Sequence, residues 1–337
     1  MSAPEQTSIV PLGPTFDDFG QRIRPERSER LELAKRILSF GVGFLDAALG
    51  GVFPRDMILL GAKTGLGKTT LASIIAETNA EKGKRVHYFA LEAEDKEIER
   101  RIKFRVLSQL IAEMKKISIQ HIGRINYLDW YAGKLEAITG KYEADADELL
   151  AKRYGTLRTF YPRGDFTADD LVKAFLAIQD ETDLIILDHI HMVDYDDANE
   201  NRGIKAIVKK LRDVALDVGK PVVVVAHLRK TDRRSKYIVP DLDDFHGTSD
   251  LVKLVTKAVI IAPAHDQETG HGHLWNTYIH PAKCRSEGSR TRYIGLVPFN
   301  VRTGRYESAF ELGRGINNGE EFELLKDEKT PSWAKKE

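Results

Sequence analysis

Residues 56–80, DMILLGAKTGLGKTTLASIIAETNA, constrain the fold more than any other part of the chain. The apolar run 57–60 is too short for a helix, and a loop with three glycines follows it. From Lys68 onward, apolar residues recur at helical spacing. This stretch therefore predicts a strand, a tight loop and a helix in direct succession.

The loop has the composition of a phosphate-binding loop. It reads A-x-x-x-x-G-K-T from Ala62, which departs from the P-loop pattern only in its first residue. Glycines let successive N–H groups point at phosphate oxygens, and the helix adds its positive N-terminal end. Lys68 is expected to reach the β- and γ-phosphates, and the Thr69 hydroxyl to bind Mg²⁺. The residues predicted to bind the nucleotide are Ala62, Lys63, Thr64, Gly65, Leu66, Gly67, Lys68, Thr69 and Thr70.

Two further strand candidates end on carboxylates. The segment 85–91 leads to Glu92, and the run LIIL leads to Asp188. The carboxyl ends of parallel strands are where open α/β sheets bind ligands. Asp188 is expected to hold Mg²⁺, usually through water, although an aspartate also ends a strand as a turn former or helix cap.

Strands alternate with amphipathic helices up to residue 262, which predicts an α/β fold with a mostly parallel, helix-covered sheet. Alternating segments after residue 274 predict an antiparallel hairpin at the C-terminal edge. We divide the chain into a flexible arm (1–26), a linker helix (27–38), an ATPase domain (39–313) and a polar tail (314–337).

Composition limits the functional classes. The chain has 51 basic and 51 acidic residues, so contact with nucleic acid has to be local. No apolar run is long enough to span a membrane, and the N-terminus lacks the features of a signal peptide, so we expect a cytoplasmic protein. The one cysteine, Cys284, excludes an internal disulfide and argues against a cysteine-based zinc site.

In combination, the motifs resemble the RecA-like ATPase domain of hexameric replicative helicases, both the bacterial DnaB type and the phage primase-helicase type. The resemblance covers about residues 27–307 and depends on the order of its motifs: GAKTGLGKTT, FALE, LIILDHI, VVVVAHLRK, HGTSDL and KCR. No collar domain or primase domain accompanies these motifs, so we expect a compact version such as a phage or a mobile element carries.

The resemblance implies roles for individual residues. Glu92 is similar to the base that orients the attacking water, and His227 occupies the place of the γ-phosphate sensor, where the DnaB type has glutamine. Arg285 resembles an arginine finger that reaches the neighbouring subunit's nucleotide. Lys283 shares a strand face with Arg285, and two adjacent cations suit an anion such as a triphosphate. If this face is exposed, both side chains are simply solvated.

The segments expected to contact DNA follow the two central strands. The loop 194–203 is acidic and suits phosphate poorly, whereas the loop after His227 is basic. The predicted DNA-binding residues are Arg229, Lys230, Arg233, Arg234 and Lys236. A solvated loop is the alternative.

These features predict a ring-forming, Mg²⁺-dependent ATPase, a homo-hexamer or another ring, that moves on single-stranded DNA in replication. A loader, a primase or a polymerase is an expected partner. Two alternatives stay open at this point: a RecA-like recombination or repair ATPase that does not unwind DNA, and a ring ATPase that does not act on DNA.

Overall fold

A computed structural model describes residues 20, 23–24, 26–114, 126–195, 200–228, 239–245, 249–264, 274–301 and 303–335. The chain divides into two compact units, Met1–Ile37 and Leu38–Glu337. In the first unit, helix α1 (Glu26–Ala34) lies within the predicted linker helix and has an i,i+4 ion pair between Arg30 and Glu26. The second unit contains the sheet.

In the described part of the chain, eleven strands form one sheet in the order β11-β10-β8-β7-β6-β1-β5-β4-β2-β3, and β9 pairs with β8. The strands are β1 (Met57–Ala62), β2 (Val86–Ala90), β3 (Leu157–Phe160), β4 (Leu184–Asp188), β5 (Val222–His227), β6 (Lys257–Pro263), β7 (Leu274–Cys284), β8 (Ile294–Asn300), β9 (Arg305–Tyr306), β10 (Glu311–Ile316) and β11 (Glu321–Leu324).

Helices cover both faces of the parallel part of this sheet. They are α2 (Gly43–Leu49), α3 (Lys68–Glu81), α4 (Glu97–Met114), α5 (Tyr127–Tyr131), α6 (Glu136–Thr139), α7 (Glu143–Tyr154), α8 (Ala168–Ala177), α9 (Glu200–Val218) and α10 (Ser249–Leu254). Helices α4 to α7 lie between β2 and β3 in the chain, where the charged helical pattern predicts an insertion. No described helix has the length and apolar character needed to cross a bilayer.

Strand β1 divides the core into two layers. Ile58 and Leu60 belong to the cluster that includes α3 and α4, whereas Met57 and Leu59 belong to the cluster that includes α8 and α9. This alternation follows from the two-residue period of a strand. All six residues of β1 are buried because both faces of the strand are covered.

The parallel strands pair in one register that fixes the edges of the sheet. Ala62 at the end of β1 lies beside His227 at the end of β5, and β2 pairs with β4 so that Ala90 lies beside Asp188. The residues that follow β1, β2, β4 and β5 therefore lie at the same edge, as the strand-end carboxylates predict.

The antiparallel extension is larger than the predicted hairpin. Strands β7, β8, β10 and β11 continue the sheet, with Gly313 of β10 beside Leu324 of β11. The prediction of a polar tail from residue 314 is therefore wrong. Beyond the strands, Trp333 packs near Phe44 with ring centroids 6.5 Å apart, a long-range contact that local sequence cannot reveal.

Candidate functional site

The loop between β1 and α3 has the backbone shape that a phosphate-binding loop requires. Gly65 and Gly67 have φ values of 79° and 89°, in the left-handed region that favours glycine. Helix α3 begins at Lys68, so its N-terminal N–H groups face the loop. The Lys68 ammonium donates to the carbonyl oxygens of Ala62 at 3.2 Å and Lys63 at 3.4 Å. The lysine is thus held over the loop by backbone groups.

A cavity of about 420 Å³ lies over this loop at the carboxyl edge of the sheet. That volume is within the range usual for small-ligand sites. It is lined by Thr64, Gly65, Gly67, Lys68, Thr69, Thr70, Glu92, Ala93, Glu97, Arg101, Asp188 and His227. Residues predicted separately from the ends of four strands therefore meet in one cavity.

Asp188 is the buried carboxylate of this cavity, with 4% of its surface exposed. The fully buried hydroxyl of Tyr88 donates to its Oδ2 at 2.7 Å. Burial raises the pKa of Asp188, and hydrogen bonds from Tyr88 and Thr69 partly offset that rise. Strand β2 thus positions the carboxylate at the end of β4.

The electrostatics of the cavity suit a phosphate and a divalent cation. Burial lowers the pKa of Lys68, and the nearby carboxylates of Asp188 and Glu92 oppose that shift. Among the described atoms, Asp188 Oδ1 is buried and has no hydrogen-bond partner. A buried carboxylate oxygen beside a threonine hydroxyl fits Mg²⁺, which prefers oxygen ligands and retains water. Thr69 and Asp188 are the residues that would hold it, and the ion would offset phosphate charge.

Glu92, His189 and His227 form a polar cluster at the side of the cavity. His189 Nε2 lies 2.9 Å from Glu92 Oε2 and 2.8 Å from His227 Nε2. His189 is buried, His227 is half-buried and Glu92 is exposed. Burial lowers the pKa of His189, which favours the neutral ring.

His189 is a site residue that the sequence analysis did not identify. It directly follows Asp188 in the LDHIH segment. The available signal was its position one residue beyond a strand end, at the edge where ligands bind. Its two partners, however, come from other strands, and their proximity depends on the order β5-β4-β2.

Lys283 and Arg285 lie toward the opposite edge of the same sheet. Lys283 pairs with Ala258 near the start of β6, and the Arg285 amide donates to the Thr256 carbonyl just before that strand. Thr256 in turn lies beside Met57 at the start of β1. At ~3.3 Å per residue, Arg285 is about 17 Å along the sheet from the P-loop end of β1. Neither cation lines the cavity of its own chain.

The two cations have different surroundings. The Lys283 ammonium donates to the Val252 carbonyl at 2.6 Å, and burial lowers its pKa, with Arg285 and Arg212 adding to the effect. Arg285 is exposed, and its guanidinium makes no ion pair with a described residue. The arginine is therefore free to reach a group outside its own chain.

The predicted DNA-contacting residues Arg229, Lys230, Arg233, Arg234 and Lys236 lie outside the described residues. Their assignment stays a prediction.

Comparison with known proteins identifies the family. The sequence matches the family model of the DnaB-like helicase C-terminal domain over residues 38–273. A solved DnaB-like replicative helicase, described with its interactions with primase, has a TM-score of 0.63 and 16% identity over 87% of this chain and 66% of that chain. The solved ATPase domain of another DnaB-like helicase has a TM-score of 0.63 and 16% identity over 93% of this chain and 100% of that chain. No curated protein sequence matches the chain significantly.

At such low identity the solved structures show the fold, and they confirm the predicted RecA-like α/β class. The match of the family model covers most of the chain and includes both strands that carry the carboxylates. The chain belongs to the family of DnaB-like helicase C-terminal domains.

Proposed function

We propose that this chain is an ATP-dependent helicase or translocase that assembles into a ring and couples ATP hydrolysis to movement on single-stranded DNA during replication. The observation that carries the proposal is the convergence of Lys68, Asp188, Glu92 and His227 on one cavity over the P-loop. Membership in the DnaB-like helicase family supports the same reaction class.

The cavity supplies the groups that phosphoryl transfer needs. Lys68 and the N-terminus of α3 stabilise negative charge on the phosphates, while Thr69 and Asp188 hold Mg²⁺. The exposed carboxylate of Glu92 lies at the cavity wall, where it can accept the proton of an attacking water. His227, at the end of the strand next to the P-loop strand, is positioned to respond to the γ-phosphate.

The opposite locations of the P-loop and Arg285 support a ring. A single chain cannot bring an exposed arginine at one edge to a nucleotide at the other edge. A neighbouring subunit in a head-to-tail arrangement can, and such heterologous contacts close into rings. Lys283 would then act on the neighbour's nucleotide together with Arg285.

DNA binding is proposed for the basic loop, and replication partners are proposed from the family. One related helicase has been described with its interactions with primase, which supports a primase as a partner here. The net charge of +0 leaves this loop as the favoured attachment point for DNA phosphates.

The test measures ATP hydrolysis with and without single-stranded DNA over a range of salt concentrations. We expect DNA to stimulate turnover and the stimulation to fall as salt rises, because phosphate contacts release counterions. Lys68→Ala is the control that removes turnover itself. Reversing the charges of Arg233, Arg234 and Lys236 should weaken DNA binding and leave the basal ATPase unchanged.

Two parallel measurements separate this proposal from its alternatives. Electron microscopy with DNA and a non-hydrolysable ATP analogue should show rings around one strand, and a strand-displacement assay should show unwinding. Rings without any DNA stimulation would indicate an ATPase that does not act on DNA. DNA filaments without displacement would indicate a recombination-type ATPase.

A further inference from the structure

The cluster of Glu92, His189 and His227 has an arrangement that phosphoryl transfer does not require. Three potential ligand atoms, one from each residue, lie within 4.8 Å of one another. His189 Nε2 is at the centre, with Glu92 Oε2 at 2.9 Å and His227 Nε2 at 2.8 Å.

Protons satisfy this geometry poorly. A neutral imidazole carries one N–H, so a proton on His189 Nε2 has to be shared between the carboxylate and the second ring. If His189 Nε2 is bare instead, it accepts from His227, but its lone pair then faces the carboxylate of Glu92. The buried Nδ1 of His189 has no hydrogen-bond partner among the described atoms, which leaves that ring without a second anchor.

A metal ion satisfies all three atoms at once. Imidazole nitrogens and a carboxylate oxygen are the ligands of a Zn²⁺ ion in many sites. A metal–ligand distance of about 2.0–2.1 Å places neighbouring ligand atoms roughly 2.9–3.4 Å apart, close to the separations observed around His189. Mg²⁺ prefers oxygen ligands, so the two-histidine set favours a transition ion.

The fold holds these ligands on rigid elements. His227 ends β5, His189 directly follows β4, and Glu92 lies two residues after β2. These three strands are consecutive in the sheet. The cluster opens through Glu92 and His227 to the cavity, which gives an ion access and leaves room for water as a further ligand. Lys68 is the cation that faces the cluster, and the carboxylates of Glu92 and Asp188 oppose it.

We propose that Glu92, His189 and His227 form a binding site for a divalent transition ion of the Zn²⁺ class, separate from the Mg²⁺ position at Thr69 and Asp188. The site needs no nucleotide. Its consequence for activity does depend on the proposed ATPase: an ion held by Glu92 and His227 takes away the proton acceptor and the sensor, so Zn²⁺ inhibits hydrolysis in the presence of excess Mg²⁺.

The decisive experiment measures metal binding to the full chain without nucleotide, so that it stands or falls independently of ATP hydrolysis. Co²⁺ is the spectroscopic probe, because its absorption reports nitrogen and oxygen coordination, and equilibrium dialysis with Zn²⁺ gives the stoichiometry. We expect one ion per chain at this site. His189→Gln and Glu92→Gln should each weaken Zn²⁺ binding by at least about tenfold, since even partners outside the first shell contribute 10–100-fold.

Matched controls locate the site. His280→Gln changes a histidine that bonds to the Thr291 carbonyl, and Thr69→Ala changes the Mg²⁺ position, so both variants should keep Zn²⁺ affinity. Glu92 is 56% exposed, so its variant should fold even if replacement of the buried His189 disturbs the fold. Absence of Zn²⁺ binding by the unaltered chain, or affinity unchanged in both Glu92→Gln and His189→Gln, would overturn the proposal.

Inhibition is measured separately. Zn²⁺ should lower ATP turnover at saturating Mg²⁺, and a chelator should restore it. Metal binding without inhibition would leave the site in place and would show that Glu92 is not needed for hydrolysis, which would count against the proposed function instead.

Discussion

The two ends of strand β1 each bury a lysine and an aspartate, yet their chemistry differs. At the start of β1, the Lys257 ammonium lies 2.6 Å from Asp56 Oδ2 and 2.7 Å from the Gly51 carbonyl. The other oxygen of Asp56 accepts the Thr256 hydroxyl at 2.7 Å. Every one of these contacts is short, and the charges are paired.

At the far end of β1, Lys68 and Asp188 are not paired in this way. The Lys68 ammonium contacts only backbone carbonyls, at 3.2 and 3.4 Å, and makes no ion pair with a described residue. Asp188 has one buried oxygen without a hydrogen-bond partner. Burial shifts the pKa of both groups toward their neutral forms.

The difference distinguishes a structural charge pair from a binding site. Buried charges that satisfy each other stabilise the fold only if both are present. Buried charges that are left incomplete cost stability until a ligand completes them, and ligand binding then recovers that free energy. The start of β1 is therefore expected to respond to mutation through stability, and its end through activity.

The largest effect is expected for Arg285, which lies near the start of β1 but has an exposed side chain. It tests whether location alone decides the response. If it acts on a neighbouring subunit's nucleotide, Arg285→Ala should lower ATP turnover by about 10³–10⁵-fold and leave ATP binding and the free energy of unfolding nearly unchanged.

A mixing experiment checks that Arg285 acts between subunits. Arg285→Ala chains keep the P-loop and Lys68→Ala chains keep the arginine, so mixed rings should recover part of the turnover. Subunit exchange is verified with labelled chains. Arg285 pointing away from every neighbouring nucleotide in an assembled ring would contradict the assignment.

The next effect compares the same substitution at both ends. Lys68→Met should lower turnover by about 10²–10³-fold or more, because it removes a cation that stabilises charge in the transition state. Its free energy of unfolding should not fall, since the ammonium is buried without a carboxylate partner. Steady-state kinetics and urea denaturation measure the two quantities.

Lys257→Met should give the opposite result. It leaves Asp56 buried without its partner, which costs about 3–5 kcal/mol of stability. The folded fraction should keep its turnover per active site, measured at low temperature. The double variant Asp56→Asn with Lys257→Met should recover part of the lost stability, because both charges are then absent. If Lys257→Met reduced turnover at unchanged stability, the distinction between the two ends would be wrong.

Local patterns predicted the parts of the site that depend on local sequence. The P-loop follows β1 directly, and the apolar runs before Asp188 and His227 identify strands and their ends. These calls needed only the rule that ligands bind at the carboxyl edge of a parallel sheet. The six parallel strands were predictable for the same reason, since their apolar runs are nearly continuous.

Features that depend on distant pairing were not predictable. The contact of His189 with His227 depends on which strands are neighbours, and neither residue signals the other in sequence. Strand β10 contains glycines at 313 and 315 and was interpreted as the start of a tail, because glycine weakens a strand pattern. Pairing with β8 and β11 compensates for that weakness.

The smallest effect concerns a histidine away from both ends of β1. His280 in β7 bonds through Nε2 to the Thr291 carbonyl at 2.9 Å, and burial lowers its pKa, opposed by that hydrogen bond and by Asp241. The unfolded chain takes up a proton near pH 6.5, whereas the folded chain does so only at lower pH. Above pH 6.5 this group therefore costs nothing, and below it stability falls by at most about 1.4 kcal/mol per pH unit until the folded pKa is reached. His280→Gln should flatten the decline of the urea midpoint between pH 6.5 and 5 and leave the midpoint at pH 8 nearly unchanged. An equally steep decline in the variant would assign the acid sensitivity to other groups, with the cluster around His189 as the next to test by the same measurement.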